Sequence, residues 1–468
     1  MNSLISNNII ITEPTRDVAD WCVKNLVVPN PVYRQLKLLG KEDTIRYKHI
    51  SEELNLFSYK RDKLVVPFGC LYALWDKLKE SPCELDLNKT GDLSFKNEEP
   101  TFPLYDYQEE AVQEMIKAKG GVLVSSCGSG KSIAGIEIFK RIGKKTLWLC
   151  HTSDLLRQIK DDILQQYPTA KIGLTTNGKL DIGEDITIST VQTMVNVDPE
   201  LYRNEFDTVV VDECTHVVGS PTQMKMFSTV LSNIKARYKY GLTATPARSD
   251  GLIKAMYAYI GVSKRGWFEP TFKVDDSKVK KIVAEHQKVE LHTGYNDYRL
   301  LELYDTSGMI VYNKLIDSLS LNQERNELIL QNICKNALLG RKQVVLTLRI
   351  EHCEYLTEEL KKRGIKAVLC VGKTKAKDRE KILKQEVKWD VLVATYSLLK
   401  EGVNVKELDT LHLTTPIKDK GMVVQCAGRI ERFVENKKQP IIYDYVDMDI
   451  PYCIKSYSQR KSALRRRF

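Results

Sequence analysis

A short apolar strand that runs directly into a glycine-rich turn and then into a helix constrains the fold of this chain more than any other stretch. Residues 122–125 are apolar enough for a buried strand, residues 127–132 read Cys-Gly-Ser-Gly-Lys-Ser, and a helical pattern covers residues 133–141. This order is the context that a phosphate-binding loop requires. Because Gly128 and Gly130 lack a Cβ, the backbone there can wrap a phosphate chain and point its N–H groups inward.

The loop also supplies a positive charge and a hydroxyl group. Lys131 would place its charge on the β- and γ-phosphates of ATP, and the Ser132 hydroxyl would be a ligand of Mg²⁺. The candidate ATP-binding residues of the loop are therefore Gly128, Ser129, Gly130, Lys131 and Ser132. Ser125 stands where the full G-x-x-x-x-G-K-[ST] pattern has its first glycine, so an ordinary strand-to-helix loop with a solvated lysine stays open as the alternative.

Length and composition indicate a multidomain protein without a membrane segment. A chain of 468 residues predicts two or three domains, and its net charge of +10 is compatible with a polyanionic partner. No apolar run has the length of a membrane span and the first twelve residues lack the features of a signal peptide, so a cytoplasmic protein is expected. The eleven cysteines are scattered and never occur as C-x-x-C, which favours buried reduced thiols over disulfides or a zinc site.

Residues 1–95 are interpreted as a small α+β accessory module. Basic and aromatic side chains interleave there between residues 33 and 61, as on a surface that grips phosphates and stacks on bases. A solvated face with aromatic packing beneath it explains the same pattern, so DNA binding by the module is one of two hypotheses. Residues 88–103 are polar and contain Pro100 and Pro103, which predicts a linker.

After residue 100 the chain alternates apolar strands with helical segments, which predicts parallel sheets covered on both faces. One series occupies residues 100–262 and a second occupies residues 323–455. A charged connecting segment, residues 263–322, lies between them. A basic tail, residues 456–468, follows; it either contacts phosphates or is a disordered end.

Two adjacent carboxylates, Asp212 and Glu213, follow the apolar run at residues 209–211. They stand at the carboxyl end of a predicted strand, where open α/β sheets bind ligands. Asp212 can hold Mg²⁺, and Glu213 can polarise the water that attacks the γ-phosphate. His216 would report the nucleotide state to the next motif, or is a polar loop residue.

The four motifs at residues 128–132, 212–216, 242–248 and 425–432 occur in an order and at a spacing that resemble superfamily 2 helicases and DNA translocases. The resemblance spans residues 105–447. Within the superfamily the chain is most similar to the XPB-type and phage branch-migration (UvsW-like) helicases. It implies two tandem RecA-like domains and an enzyme that couples hydrolysis of ATP, with Mg²⁺, to movement along a nucleic acid.

The same resemblance implies branched or forked DNA as the substrate, in replication, recombination or repair. Accessory proteins of those processes are possible partners, a monomer is expected, and a phage-encoded chain would work in the host cytoplasm. RNA is the less favoured substrate. Two alternatives stay open because backbone contacts carry little sequence or sugar information: an RNA helicase, and the motor subunit of a nuclease or restriction complex that moves on duplex without unwinding it.

The resemblance also assigns contacts in the first domain. Tyr107 and Gln108 match the Q motif, in which the glutamine amide reads the adenine edge. Thr243 and Thr245 would couple the nucleotide site to the nucleic acid. The expected nucleic-acid contacts of motifs Ia and Ib are His151, Thr152, Arg157, Gln158, Thr190, Gln192 and Thr193.

In the second domain the expected nucleic-acid contacts are Thr347, Arg349 and Thr395. Gly402 of motif V would approach ATP, and Asn404 stands where many relatives have aspartate. Arg429 and Arg432 are predicted to share one helical face and to stabilise charge on the γ-phosphate as arginine fingers, with Gln425 one turn earlier. Surface arginines are the alternative.

Overall fold

The computed structural model describes residues 1–44, 47–126, 128–176, 178–215, 220–244, 251–261, 268–279, 284–295, 300–306, 308–402, 405–432, 434 and 436–465. Residues 1–126 with 130–275 form one compact unit, and residues 276–468 belong to the second. Each unit contains a parallel β-sheet, and the first unit also carries a small mixed sheet near its N-terminus. The predicted α/β class, with two parallel sheets and a small α+β module, is confirmed.

The elements of the first unit follow the predicted alternation. Its strands are β1 (Asn2–Ile5), β2 (Asn8–Thr12), β3 (Val27–Pro29), β4 (Glu53–Asn55), β5 (Ser58–Lys60), β6 (Lys63–Pro67), β7 (Cys83–Leu85), β8 (Gly121–Val124), β9 (Thr146–Cys150), β10 (Ile172–Thr175), β11 (Ile186–Thr190), β12 (Thr208–Asp212), β13 (Tyr238–Thr243) and β14 (Phe272–Lys273). Its helices are α1 (Arg16–Leu26), α2 (Pro31–Leu38), α3 (Leu71–Leu78), α4 (Asp106–Ala118), α5 (Lys131–Ile142), α6 (Ser153–Gln166), α7 (Val191–Met194), α8 (Pro221–Leu231) and α9 (Ile253–Ile260), with 3₁₀ turns at Phe68–Cys70 and Pro199–Leu201.

The parallel sheet of the first unit has the order β10-β11-β9-β12-β13-β8-β14 among the described residues. Every residue of β8, β9, β11 and β12 is buried, because helices cover both faces of such a sheet. Strand β13 lies between β8 and β12. The turn after β8 and the carboxylates after β12 therefore reach the same edge of the sheet.

The N-terminal module packs firmly onto this parallel-sheet domain. Strands β5-β6-β2-β1-β7 form its sheet, and its buried residues belong to the same hydrophobic cluster as those of β8, β12 and α9. A Cβ on Gly69 would lie 2.6 Å from the carbonyl oxygen of Ala258, so only glycine permits this approach. The Lys239 ammonium lies 4.5 Å from the centroid of the Phe68 ring and donates to the carbonyl of Leu231. The module and the first parallel sheet share one core.

The stretch predicted as a linker is instead a strap on the surface of the domain, at least over residues 88–95. Asn88 is buried and its amide donates to the carbonyl of Phe206 at 2.9 Å. Ser94 donates to Asp185 at 2.7 Å, and the buried Phe95 ring lies 5.2 Å from the ring of Tyr167. Polar side chains that satisfy backbone groups of the domain made this segment look solvated in sequence.

The second unit repeats the parallel-sheet architecture. Its strands are β15 (Gln287–His292), β16 (Gln343–Thr347), β17 (Ala367–Cys370), β18 (Val391–Thr395), β19 (Thr410–Leu413) and β20 (Ile441–Val446). Its helices are α10 (Asp276–Val279), α11 (Tyr312–Leu321), α12 (Gln323–Leu338), α13 (Ile350–Lys362), α14 (Ala376–Leu383), α15 (Tyr396–Gly402), α16 (Lys420–Ile430) and α17 (Pro451–Arg465), with a 3₁₀ turn at Leu300–Leu303.

The strand order of the second sheet is β15-β20-β19-β16-β18-β17 in the described part of the chain. Strand β15 comes from the segment that was predicted to connect the domains, and it pairs in parallel with β20 as an edge strand. Its residues are either half-buried or exposed and none is fully buried, so the apolar signal of a strand is weak there. The connecting segment therefore contributes directly to the second sheet.

The predicted basic tail differs from the structure. Residues 456–465 form the second half of α17, and the Arg460 guanidinium is buried against the Asp444 carboxylate at 2.7 Å. A second buried pair joins Arg325 of α12 to Asp447 at 2.8 Å. These charged residues look like surface residues in sequence because their partners are distant in the chain.

The structure also bears on two features considered from the composition, membrane segments and cysteines. Within the described ranges, no helix is both long and apolar enough to cross a membrane. The ten cysteines that the structure describes carry free thiols, as the sequence predicted. Most of them are buried, and they contribute to packing as small apolar side chains.

Candidate active site

The glycine loop leaves β8 and enters α5 through backbone that favours glycine. Strand β8 ends at Val124 and the helix begins at Lys131. Gly128 has φ +82° and Gly130, the residue that precedes the first helical residue, has φ +72°, both in the left-handed region. Ser129 lies between them. The N-terminus of a twelve-residue helix thus points out of the sheet edge, where its N–H groups and dipole favour an anion.

Gln108 braces this loop from helix α4. Its amide oxygen accepts from the Tyr105 N–H at 3.0 Å, and its amide nitrogen donates to the carbonyl of Gly130 at 3.3 Å. A Cβ on Gly130 would lie 2.4 Å from that nitrogen. Tyr107 is buried and its ring stacks at 5.8 Å on the exposed ring of Tyr105. The predicted adenine contact of Gln108 stays a prediction, and the structure adds a bracing role.

Lys131 and Glu213 face each other at the sheet edge. The Lys131 ammonium lies 2.6 Å from the Glu213 carboxylate, and the two side chains are 15% and 13% exposed. Asp212, the last residue of β12, is buried beside them. The structure therefore brings the predicted lysine and both predicted carboxylates together.

The backbone at Glu213 adopts a conformation that is rare for a residue with a side chain. Its φ is +48°, and its N–H donates to the Asp212 carboxylate at 2.9 Å. A non-glycine residue in the left-handed region costs about 1–3 kcal/mol and is concentrated at functional sites. This turn places two successive carboxylates at the end of one strand.

Asp212 and Ser132 are the two residues predicted to bind Mg²⁺, and the chemistry of their side chains can be tested against that ion. Burial raises the pKa of Asp212, the nearby Lys131 charge lowers it and Glu213 raises it, so that the pKa reaches about 6. A buried carboxylate whose charge is incompletely offset gains from a cation. A carboxylate and a hydroxyl are oxygen ligands of the kind that Mg²⁺ prefers, and both residues fit that ion.

A hydrogen bond between Thr215 and Thr243 joins the acid pair to the neighbouring strand. Their hydroxyl oxygens are 3.0 Å apart and both side chains are buried. The carbonyl of Thr243 in turn accepts from the Ser125 N–H at 3.0 Å, at the start of the glycine loop. Sequence reasoning singled out Thr243 but missed Thr215, whose position directly before His216 was the available signal.

Two predicted nucleic-acid contacts are helix caps at neighbouring strand ends. The Thr152 hydroxyl accepts from the Leu155 N–H at the start of α6, after β9. The Thr190 hydroxyl accepts from the Thr193 N–H at the start of α7, after β11. Since β9 and β11 are adjacent, the starts of α6 and of the four-residue α7 emerge side by side at the sheet edge, and their contact with nucleic acid stays a prediction.

The other predicted contacts of the first unit lie around these two helix starts. Arg157 is exposed and its guanidinium is 3.6 Å from the Asp154 carboxylate. Gln192 is also exposed, whereas His151, Gln158 and Thr193 are half-buried. The exposed side chains leave room for a ligand, and their role in binding stays a prediction.

The predicted contacts of the second unit differ in accessibility. Thr347 is fully buried; its hydroxyl lies 2.9 Å from His352 Nδ1 and accepts from the Arg349 N–H at 3.3 Å. In this conformation its side chain contacts no solvent and instead positions the start of α13. Arg349 bonds Asp317 at 2.6 Å, and the half-buried Thr395 lies next to Thr347 in register.

The prediction that Arg429 and Arg432 lie on one helical face is wrong. Helix α16 ends at Ile430, Glu431 is its C-cap, and Arg432 lies beyond it. Gln425 is buried one turn before Arg429 on the same helix. The two arginines are close in sequence, but Arg429 lies within the helix and Arg432 lies after it, so their side chains do not share a helical face.

Three predicted residues, His216, Thr245 and Asn404, lie outside the described residues. Gly402 is the last residue of α15, which follows β18. Strand β18 pairs with β16, so motif V begins next to Thr347, the last residue of β16, at the carboxyl edge of the second sheet. The place of Gly402 in the chain is as expected, and its approach to ATP stays a prediction.

A glycine loop and a pair of carboxylates lie at the same edge of a doubly wound sheet, one after β8 and the other at the end of β12, with β13 between them. With a second sheet of the same kind, this arrangement defines a nucleotide hydrolase. Residues 101–248 match the family described as "Type III restriction enzyme, res subunit". Residues 324–434 match the helicase conserved C-terminal domain. Together these matches cover the glycine loop, the acid pair and the arginine helix.

Named relatives span both sheets. The chain is 27% identical to "Probable helicase D10" of Escherichia phage T5, over 95% of this chain and 90% of that protein. It is 25% identical to "DNA 3'-5' translocase XPB2" of Sulfurisphaera tokodaii, over 78% and 87% respectively. It is 24% identical to "ATP-dependent DNA helicase uvsW" of Enterobacteria phage T4, over 73% and 68%.

The chain belongs to the superfamily 2 helicases of the XPB and UvsW type. It is an ATP-dependent nucleic-acid helicase. A solved structure of Dbp5 from S. cerevisiae bound to RNA and ADP BeF3 shares the fold, with a TM-score of 0.58, 11% identity and coverage of 85% of this chain and 92% of Dbp5. The two parallel-sheet domains are RecA-like, as the sequence predicted.

Proposed function

We propose that this helicase acts on DNA, preferably branched or forked DNA, and that it moves along the strand as it hydrolyses ATP. The observation that carries the choice of DNA is the match to two relatives named as DNA enzymes, which extends over 78% and 73% of the chain. Two helix starts at the edge of the first sheet suit the phosphate backbone and leave the bases free. Such contacts allow movement along any sequence.

The ATP chemistry is assigned to the charged edge of the first sheet. Lys131 would bind the β- and γ-phosphates, and Glu213, now 2.6 Å from Lys131, would exchange that partner for the attacking water when ATP arrives. Ser132 and Asp212 would hold Mg²⁺, which neutralises phosphate charge when bound. The arginines at residues 429 and 432 would stabilise charge that develops on the γ-phosphate.

The hydrogen-bonded chain from Thr215 through Thr243 to the glycine loop would transmit the state of the nucleotide. Thr243 accepts from the loop through its carbonyl and bonds to Thr215 through its hydroxyl. A shift at the phosphates would therefore displace the strand end next to the acid pair. Hydrolysis would then alter the contacts that residues at neighbouring strand ends make with the nucleic-acid backbone.

The steady-state ATPase rate of the full chain tests the substrate. Single-stranded DNA, duplex DNA, a three-strand fork, a four-way junction and matched RNAs are compared at equal phosphate concentration and fixed salt. The expected result is the strongest stimulation by the fork and the junction, with the Lys131→Ala protein as the control for contaminating ATPase. Unwinding of labelled junctions into duplex products then tests branch migration.

Two alternative functions are outcomes of the same experiment. The RNA-bound structural neighbour makes an RNA helicase the first alternative, and equal or greater stimulation by RNA would favour it. The description of the family at residues 101–248 makes a restriction-complex motor the second. Stimulation by linear duplex without strand separation, measured by displacement of a triplex-forming strand, would favour that motor and contradict the branched-DNA proposal.

A further inference from the structure

Glu431 occupies the position between the two arginines that are assigned to the γ-phosphate. It is the C-cap of α16, and its own N–H donates to the carbonyl of Ala427 at the helix end. Only 1% of its surface is exposed. A charged side chain is rarely buried to this extent unless it has partners, because loss of its hydration is costly.

One short segment holds Glu431 by both its side chain and its main chain. The Glu431 carboxylate lies 2.8 Å from His286 Nδ1, and the His286 side chain is 6% exposed. The carbonyl of Glu431 accepts from the Ala284 N–H at 2.7 Å. We call these three residues, Ala284, His286 and Glu431, the anchor. Two bonds to residues two positions apart fix both the position and the orientation of the Glu431 peptide.

The anchor is continuous with the second sheet. Gln287, next to His286, begins β15, and its N–H donates to the carbonyl of Pro440 at 2.8 Å. From there β15 pairs with β20 along its whole length, from Gln287 opposite Ile441 to His292 opposite Val446. His286 is therefore tied to a strand of the sheet.

We infer that His286 and Glu431 are positioning residues for ATP hydrolysis, because they hold the turn that carries Arg429 and Arg432. This inference rests on the proposed role of those arginines. The Glu431 peptide lies two residues after one arginine and one residue before the other, and Arg432 is already beyond the helix that could have fixed it. An error of about 1 Å in the placement of a catalytic group can lower a rate by roughly a hundredfold.

The test compares variants of the anchor with a matched histidine. His286→Ala and Glu431→Ala are expected to lower kcat about tenfold, with KM for ATP changed less than about twofold, because the phosphate loop is intact. Glu431→Gln keeps an oxygen that can accept from histidine and should recover kcat to within about threefold of the unaltered protein. His292→Ala, an exposed histidine at the other end of β15, should change neither value.

Affinity for a non-hydrolysable ATP analogue and the thermal unfolding midpoint are measured on the same proteins. An unchanged kcat in both alanine variants would overturn the inference. So would a parallel loss of kcat, analogue affinity and thermal stability, because that pattern indicates general damage to the fold. If the alanine variants do not fold, His286→Gln in place of His286→Ala must show the split between kcat and KM.

Two further variants separate this inference from the assignment on which it rests. Arg429→Ala and Arg432→Ala should each lower kcat at least as much as the anchor variants do. Normal turnover in both arginine variants would remove the finger assignment, whatever the anchor variants do. Low turnover in the arginine variants with normal turnover in the anchor variants would refute the anchor alone.

Discussion

At the carboxyl edge of the first parallel sheet, Lys131 and Glu213 form an ion pair whose side chains are 15% and 13% exposed. At the same edge of the second sheet, Arg325 and Asp447 form a pair with both side chains fully buried. In the first pair, Lys131 follows the left-handed Gly130 and Glu213 is itself left-handed, and in the proposed function a phosphate replaces Glu213 as the partner of Lys131. The second pair joins α12 to the end of β20 and is closed to ligands. The first pair is thus assigned to the chemistry of its domain, and the second pair to the cohesion of its domain.

The largest expected effect comes from removal of Lys131. Lys131→Ala should lower ATP turnover by roughly a hundredfold or more, since a charged partner of the developing phosphate charge is lost. Glu213→Gln should do the same through loss of the base. Steady-state ATPase assays with saturating nucleic acid measure both effects.

A matched control for this variant lies on the same helix. Lys140→Ala removes a lysine from the last turn of α5, where it lies over the Tyr167 ring, and should leave turnover within about twofold. Near-normal turnover in Lys131→Ala would mean that the half-buried Lys131–Glu213 pair is structural, and the contrast between the two sheets would disappear.

The fully buried pair of Arg325 and Asp447 should respond in the opposite way, with an effect on stability. Arg325→Met leaves Asp447 charged and buried, which should lower the free energy of unfolding of the second unit by about 3–5 kcal/mol. Arg363→Met, in the part-exposed pair with Glu327, should cost less than about 1 kcal/mol. Urea unfolding, followed by amide hydrogen exchange in β19 and β20, measures the difference. Equal effects would show that burial does not distinguish the pairs.

The smallest expected effect concerns pH. Because burial raises the pKa of Asp212 to about 6, its carboxylate becomes protonated as the pH falls from 8 towards 6. The protonated group is a poorer Mg²⁺ ligand, so the apparent affinity for Mg²⁺ should be about twofold weaker at pH 6 than at pH 8. Titration of the ATPase rate with Mg²⁺ at both pH values provides the measurement, and equal midpoints would contradict the raised pKa.

Much of the fold could be predicted because its strands are continuous apolar runs. Residues 122–125 were predicted as a buried strand, which the structure has as β8 at Gly121–Val124, and the glycine loop marked the start of α5. Strand β15 was missed because none of its residues is fully buried and three of the six are exposed. The helix at 456–465 was missed because the partner of Arg460 comes from β20 and neutralises a charge that local sequence presents as solvated.

The same distinction between local sequence and distant packing partners applies to the candidate site. Lys131, Asp212 and Glu213 could be named because short motifs place Lys131 at a helix start and the two carboxylates at a strand end. The burial of Thr347 and the end of α16 before Arg432 could not, since they depend on His352 and on the cap at Glu431. A motif identifies which residues stand at an edge, and packing decides which way each one faces.

The core shared by the N-terminal module and the first parallel sheet has a consequence during translation. Cys70 bonds the carbonyl of Ala258, which lies 188 residues later in the chain. At about 5–20 residues per second, a ribosome needs roughly 10–40 s to make that stretch. The module is synthesised first but completes its packing late, and the apolar face that will meet α9 stays uncovered in the interval. Chaperone capacity and the rate of elongation therefore bear on the yield of active protein.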